Sequence, residues 1–231
     1  MSLCFGFSAV LYRMYYIYIS KPTIYNGDSI TNKIKIILGS IRQGRFGERP
    51  ATWLYEQLKN WENIDVEILD LKDYPLPLFD SAVSPSRLNR KYPDEAVQKW
   101  ADKLNDGDAF IIVTPEYNHG YPGALKNALD WTYPEWTRKP VGFVGYGSAS
   151  GARAVEQLRD VFIELKAVPV YKSLHIGWDV IAKTFGNMQV SNTDLFAYLR
   201  DGSIGMDHVA AFVDDLLWYA RVLKAERDRK V

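Results

Sequence analysis

Three stretches of this sequence hold residue types that could bind and position a ligand. The first is Gly39-Ser40-Ile41-Arg42-Gln43-Gly44-Arg45-Phe46-Gly47, where glycines, a hydroxyl and two guanidinium groups lead directly into a helical pattern. Free N–H groups at a helix start, with a hydroxyl and an arginine, make a site for a phosphate. The Gly-Lys-Ser/Thr ending of a triphosphate loop is absent, so an ATP-type site is excluded. The plain alternative is a turn whose arginines face water.

The second stretch runs Thr114-Pro115-Glu116-Tyr117-Asn118-His119-Gly120-Tyr121-Pro122-Gly123-Ala124-Leu125-Lys126-Asn127-Ala128-Leu129-Asp130-Trp131. Polar and aromatic residues set between prolines and glycines present amides and flat rings at one rim, able to grip a planar heteroaromatic ring by its edge, with the Asn118 amide as donor and acceptor. His119 has the chemistry of a general acid, or it simply lines the pocket. Glu116 has no acidic partner nearby in sequence and reads as a backbone contributor. Tyr133 and Trp136 could stack on a ligand, across an interface if need be, or pack in the core.

The third stretch, Gly145-Tyr146-Gly147-Ser148-Ala149-Ser150-Gly151-Ala152-Arg153, has the spacing Gly-x-Gly-x-x-x-Gly. Neither that spacing nor its place in the chain fits a dinucleotide fingerprint, which argues against a Rossmann dehydrogenase. Its small residues would let backbone approach the same flat ligand.

Each stretch follows an apolar run that reads as a strand. Ile34 to Leu38, Val66 to Leu69, Ala109 to Val113, Pro140 to Gly145 and Val168 to Leu174 are five such runs. Between them Glu48 to Trp61, Asp94 to Leu104, Pro122 to Trp131 and Ala152 to Leu165 show helical spacing, as does His208 to Arg227 at the end. The Pro-rich Tyr74 to Phe79 segment must be a loop, and residues 177 to 205 show no clear period. Strands alternating with helices predict an α/β fold with a parallel sheet covered on both faces, whose ligand sits at the loops leaving the carboxyl ends.

Composition narrows the classes further. The 231 residues carry 28 Lys plus Arg against 28 Asp plus Glu, so no net field draws the chain to nucleic acid or an anionic membrane. One cysteine, Cys4, excludes an intramolecular disulfide and a cysteine-cluster metal site, and suits a reducing, cytoplasmic setting. Residues 1 to 32 are rich in tyrosine, and Arg13 interrupts their apolar stretch, which argues against a signal peptide or membrane span. They are expected to form a poorly ordered extension outside a single domain over residues 33 to 231, completed by a helix over 206 to 228.

The Gly-Ser-x-Arg loop, the Pro-Glu-Tyr-Asn-x-Gly-x-Pro-Gly-x-Leu-Lys-Asn-Ala-Leu-Asp-Trp motif and the glycine-rich fourth loop, in this order, resemble the NADPH-dependent FMN reductase family, which includes flavin, quinone, azo and chromate reductases. The likeness covers roughly Lys33 to Ile176. It implies a flavodoxin-like three-layer α/β/α sandwich with strand order 2-1-3-4-5, and FMN in the strand-exit cleft. Ser40, Arg42 and the amides around Phe46 and Gly47 would hold the phosphate. Pro115, Glu116, Tyr117, Asn118 and Gly120 would edge the isoalloxazine, and Tyr146, Gly147 and Ser148 would close the far side. Relatives often carry serine at Arg45 or Phe46, so Arg45 is expected to replace that hydroxyl with charge.

The resemblance further implies hydride transfer from NADPH or NADH to the flavin N5, then reduction of a small acceptor: a quinone, azo compound or free flavin. No side chain is certain to be catalytic. It also implies a homodimer or dimer of dimers, and no metal. The competing reading is a flavodoxin-like electron carrier or regulatory module that oxidises no pyridine nucleotide. Carriers steer partners by strong net charge, and this chain has none.

Overall fold

The chain forms β1 (Asn32–Leu38), α1 (Glu48–Leu58), β2 (Ile64–Asp70), α2 (Glu95–Asp106), β3 (Ala109–Pro115), α3 (Gly123–Asp130), β4 (Pro140–Tyr146), α4 (Ala152–Glu164), β5 (Val168–Ile176), α5 (Trp178–Phe185) and α6 (Met206–Asp228). The computed structural model describes residues 31–185 and 206–229. The expected N-terminal extension therefore lies outside the described residues, except that Asn32 already belongs to β1. Residues 186–205 lie outside them too, whereas Trp178–Phe185 is a helix that the sequence reading left unassigned.

All five strands are parallel and lie in the order β2-β1-β3-β4-β5, the flavodoxin-like arrangement. The central strand β3 is buried along its whole length. That is why it reads as an uninterrupted apolar run rather than an alternating one. Its side chains still divide by face: Ala109, Ile111 and Val113 pack with α1 and α6, while Phe110 and Ile112 pack with α2, α3 and α4. Val155, Leu158 and Phe162, which recur every three or four residues along α4, are all buried, as is Leu165 at its end. On α6, Val209, Phe212, Val213, Leu216, Leu217 and Ala220 are buried as expected, and Leu223 is half-buried.

Helix α6 closes its face of the sheet tightly. A Cβ on Gly142 would lie 2.6 Å from the Phe212 ring, so the glycine in β4 is the socket for that phenylalanine. Here the β4–β5 register shifts between Val141 and Phe143. Arg159 of α4 donates to the carbonyls of Val170 (2.7 Å) and Tyr171 (2.9 Å) in the displaced stretch of β5. At the amino ends of the strands, Lys224 and Arg227 of α6 bind Asp108 at 2.5 and 3.0 Å, and Lys224 also donates to the Thr31 carbonyl at 2.8 Å.

Of the two roles open to the aromatics at 131 to 136, the tryptophans take the packing one. Trp136 is fully buried between Phe110 and Phe162, with its indole N–H donated to Thr132 Oγ1 at 2.9 Å. Trp131 is also buried and donates to the Pro77 carbonyl at 2.7 Å. An indole whose N–H is satisfied loses its reason to stay at the surface. Glu135, fully buried, accepts from the Tyr92 hydroxyl at 2.9 and 3.0 Å and from the Tyr133 amide at 3.1 Å. This carboxylate fastens the loop before α2 to the segment after α3, and burial together with Glu135 raises the Tyr92 phenol above its ordinary value.

Candidate functional site

The loops after β1, β3 and β4 converge at the carboxyl edge of the sheet, and hydrogen bonds join them into one rim. Ser40 Oγ lies 2.9 Å from the Tyr117 hydroxyl, tying the first loop to the second stretch. The Glu116 amide donates to the Tyr146 carbonyl at 3.0 Å, tying the second to the third. The Gly147 amide then donates to the Ile176 carbonyl at 3.2 Å, which brings in the end of β5. The predicted site residues are therefore neighbours although they span more than half the domain.

The first loop leads into α1, whose N-cap is Gly47 with no side-chain cap. The N–H groups of a helix start that lack a side-chain partner are ready donors for an anion. The comparable start of α4 is different: Glu116 accepts from the Arg153 amide there at 3.1 Å. Of these two helix starts on the rim, only that of α4 has a carboxylate on a first-turn amide; at α1 the Arg49 amide bonds the Phe46 carbonyl, Pro50 has no N–H and the Gly47 amide meets the Tyr146 hydroxyl, so Arg42 supplies the charge that would favour a phosphate there. Ser40 Oγ accepts from the Arg42 amide at 3.2 Å, and if Tyr117 donates to it as well, the Ser40 proton is directed outward. Arg42 is exposed and forms no ion pair among the described residues, so its charge remains available. Phe46 and Tyr146 are buried and pack on each other at 5.3 Å between ring centroids. The Tyr146 hydroxyl needs Gly47, where a Cβ would approach it to 2.8 Å, and burial raises that phenol above its ordinary value.

Arg45 does not face the phosphate position as the sequence reading expects. Its side chain is 2% exposed and is turned inward, where it pairs with Asp70 at the end of β2, with Glu48 Oε1 at 3.0 Å and with the Ser40 carbonyl at 2.5 Å. Two carboxylates already balance its charge, so Arg45 braces the loop from beneath. Burial would push the Asp70 carboxyl up, but the Arg45 guanidinium and the Lys72 amide outweigh it and hold the group below its ordinary value.

The second stretch forms a tight hairpin turn. Tyr117 and Gly120 exchange backbone bonds of 2.8 and 3.0 Å, and Asn118 and His119 between them have φ of 49° and 70°. Two consecutive left-handed residues define a type I′ turn, and Asn and His tolerate that region better than most side chains. Asn118 is consequently exposed at the rim. Pro115 is buried as the last residue of β3, and the Glu116 side chain is only 4% exposed. The Glu116 carboxylate is bound by the Arg153 guanidinium, with Nε at 2.5 Å, which fits its expected role as a backbone contributor.

His119 Nε2 lies 2.9 Å from Arg153 Nη1, and its carbonyl accepts from Gln157 Nε2 at 2.9 Å. A guanidinium can only donate, so Nε2 must accept and is not a proton donor in this arrangement. We therefore expect His119→Gln to retain turnover within about twofold across pH 6 to 8, measured by steady-state NAD(P)H oxidation. A lost basic or acidic limb in that profile would return His119 to the chemistry.

The third stretch is shaped by glycine at two positions. Gly147 has φ 144°, and Gly151 has φ 71° with its missing Cβ only 2.4 Å from the Tyr146 amide. Ser148 is exposed between them. His175 Nδ1 contacts the Ser150 carbonyl at 3.0 Å, and Ser173 Oγ contacts His175 Nε2 at 2.7 Å, fixing the loop to β5. Sequence alone gives no sign of the roles of Arg153, of Tyr117 as a partner of Ser40, or of Asn127. Asn127 holds the Pro-rich loop through the Pro77 carbonyl at 2.8 Å and the Phe79 amide at 2.9 Å.

The arrangement offers a helix start with the Arg42 charge beside it and a rim whose exposed residues include Asn118, His119 and Ser148. Among the described residues no group of acids, histidines and cysteines could hold a metal ion, and no helix is long and apolar enough to cross a membrane. A charged groove on the outer side of α2, lined by Glu95, Lys99 and Asp102 among others, lies along a solvated helix face rather than at the carboxyl edge.

Comparison with known proteins agrees with this geometry. Residues 32–179 match the family model described as NADPH-dependent FMN reductase. An NAD(P)H-dependent FMN reductase from Schizosaccharomyces pombe is 39% identical over 156 residues, covering 67% of this chain and 78% of the relative. A 2-hydroxy-1,4-benzoquinone reductase from Burkholderia sp is 29% identical over 191 residues, covering 79% and 97%. Among solved structures, the flavoenzyme FerB, an NAD(P)H:(acceptor) oxidoreductase from Paracoccus denitrificans, superimposes with TM-score 0.55 at 22% identity, covering 84% of this chain and 98% of that one, which shows a shared fold.

Proposed function

Because the chain belongs to the NADPH-dependent FMN reductase family, we propose that the rim described above is its FMN site and that its acceptor is a small flat molecule, a quinone first of all. The chain is an FMN-dependent NAD(P)H oxidoreductase. The bound FMN supplies the two-electron redox chemistry, and the protein's task is to hold it and admit substrates. The observation that carries the site assignment is the uncapped start of α1 beside the free Arg42 charge, in a chain whose neighbouring rim helix is capped by Glu116.

In this reading the amides at Phe46 and Gly47, with Ser40 and Arg42, bind the phosphate. Pro115, Glu116, Tyr117, Asn118 and Gly120 line the isoalloxazine edge, while Gly147 and Ser148 lie on its far side beside the buried Tyr146. The Ser40–Tyr117 contact couples the phosphate loop to the ring-binding turn, so a shift of one is felt by the other. A quinone acceptor is supported by the relative named as a benzoquinone reductase; azo compounds and free flavin are its competitors. Mixing holoenzyme with NADPH or NADH should bleach the visible flavin absorbance, and menadione should restore it. If menadione leaves the reduced protein unchanged while an azo dye or free flavin reoxidises it, the quinone assignment fails.

The domain is assigned to residues 33–231, acting as a homodimer or dimer of dimers in the cytoplasm. The half-buried Tyr133 and the single cysteine are compatible with this. A single-chain mass by light scattering would exclude the assembly, and cell fractionation checks the location.

A further inference from the structure

We infer that Trp178 is a stacking residue for the acceptor, biasing the cleft toward flat aromatic quinones over acceptors without a ring; this rests on reading the rim as the FMN and acceptor site. Of the seven tryptophans, Trp53, Trp100, Trp131 and Trp136 are buried and Trp61 is half-buried, so none of them offers an open ring face. Trp218 is exposed but lies on α6, less than two helical turns before Lys224, which is bound at the amino ends of the strands. Trp178 is 59% exposed and sits at the opposite, carboxyl edge, as the first residue of α5.

Its position is tied to the third rim loop through the two residues before it. The Ile176 carbonyl accepts from Gly147, and two residues later Trp178 is within about 8 Å of that carbonyl's residue along the chain. Between them, Gly177 lies against Ser150: a Cβ there would stand 3.2 Å from Ser150 Oγ. The Ile181 amide donates to the Gly177 carbonyl at 3.2 Å, starting the helix and fixing where the indole is attached. The tyrosine rings of the rim are less available. Tyr146 is buried, and Tyr117 is anchored by its hydroxyl to Ser40. An indole left open to water at the rim gains most by covering an aromatic ring that arrives there.

The test compares Trp178→Ala and Trp178→Phe with the wild-type holoenzyme. Menadione binding to the oxidised protein is measured by calorimetry, and steady-state KM is measured with menadione and with ferricyanide. The alanine variant should weaken menadione binding and raise its KM about two- to tenfold, the range that one aromatic contact supplies. The phenylalanine variant should keep most of the affinity. Ferricyanide kinetics, FMN affinity and flavin bleaching by NAD(P)H should not change. Equal menadione affinity in wild type and Trp178→Ala, or equal loss with ferricyanide, overturns the inference, as does a change of oligomeric mass in the variant. Failure of the wild type to turn over menadione while still binding it would sink the quinone reading and leave the stacking role to be decided by the affinity ratio.

Discussion

Gly151→Ala should cost the protein both stability and FMN. The residue has φ 71°, and its added Cβ would meet backbone atoms, the Tyr146 amide at 2.4 Å and Gly145 Cα at 2.6 Å. No side-chain rotation relieves that contact. Left-handed strain costs about 1–3 kcal/mol, and overpacking against an immobile neighbour adds about 1–3 kcal/mol. For a domain of this size each kcal/mol lowers Tm by roughly 2–4 °C, so a fall of about 5–20 °C is expected. The same displacement moves the Gly147–Ser148 loop, and FMN affinity should drop with it. Gly123→Ala is the control, because nothing lies within 4 Å of its Cβ and it opens helix α3. If Gly151→Ala melts and binds FMN like Gly123→Ala, the turn does not constrain the site.

Arg45→Met should have the second-largest effect. It removes a side chain that is 2% exposed and leaves Asp70, 22% exposed, without its guanidinium partner. Breaking a buried pair from one side costs about 3–5 kcal/mol. Because Arg45 also holds the Ser40 carbonyl, the phosphate loop loses its brace and FMN affinity should fall at least tenfold, read by the fluorescence of released flavin. The pair also sets an acid limit. Asp70 titrates below its ordinary value of 3.8 in the folded protein, so its contribution is complete above that value and is lost as pH falls through the lower folded one. Flavin release on acidification should therefore be less steep in Asp70→Asn. Equal FMN affinity in wild type and Arg45→Met would show that the loop holds itself.

The strands, the helices and the three rim loops were legible because each is written in contiguous residues. Strand ends were read short. Asn32 and Lys33 pair with Ile64 and Asp65, and a ladder can continue where the apolar run stops. Helix α1 was read long: it ends at Leu58, and Asn63 then turns the chain with φ 62°. Helix α5, as short as α3, is not legible because no proline marks its start as Pro122 marks that of α3. What the sequence could not reveal were partners brought together from far apart, such as Arg45 with Asp70, Ser40 with Tyr117 and Glu116 with Arg153. Those partners decide which rim charges are free. Arg42 and Arg45 look equivalent in sequence, yet only Arg42 keeps its charge for a ligand.

The Phe212 socket in β4 has a consequence for how the chain comes to be made. One face of the sheet is covered by α1 and by α6, and α6 follows all five strands in the chain. While a nascent chain still holds Met206–Asp228 inside the ribosome, the strands can already be outside, with Gly142 lacking its phenylalanine and Asp108 lacking Lys224 and Arg227. A parallel sheet with one apolar side open to water is prone to associate with its neighbours. Completion of this fold, and of a site whose loops depend on the sheet beneath them, therefore waits until α6 has been made.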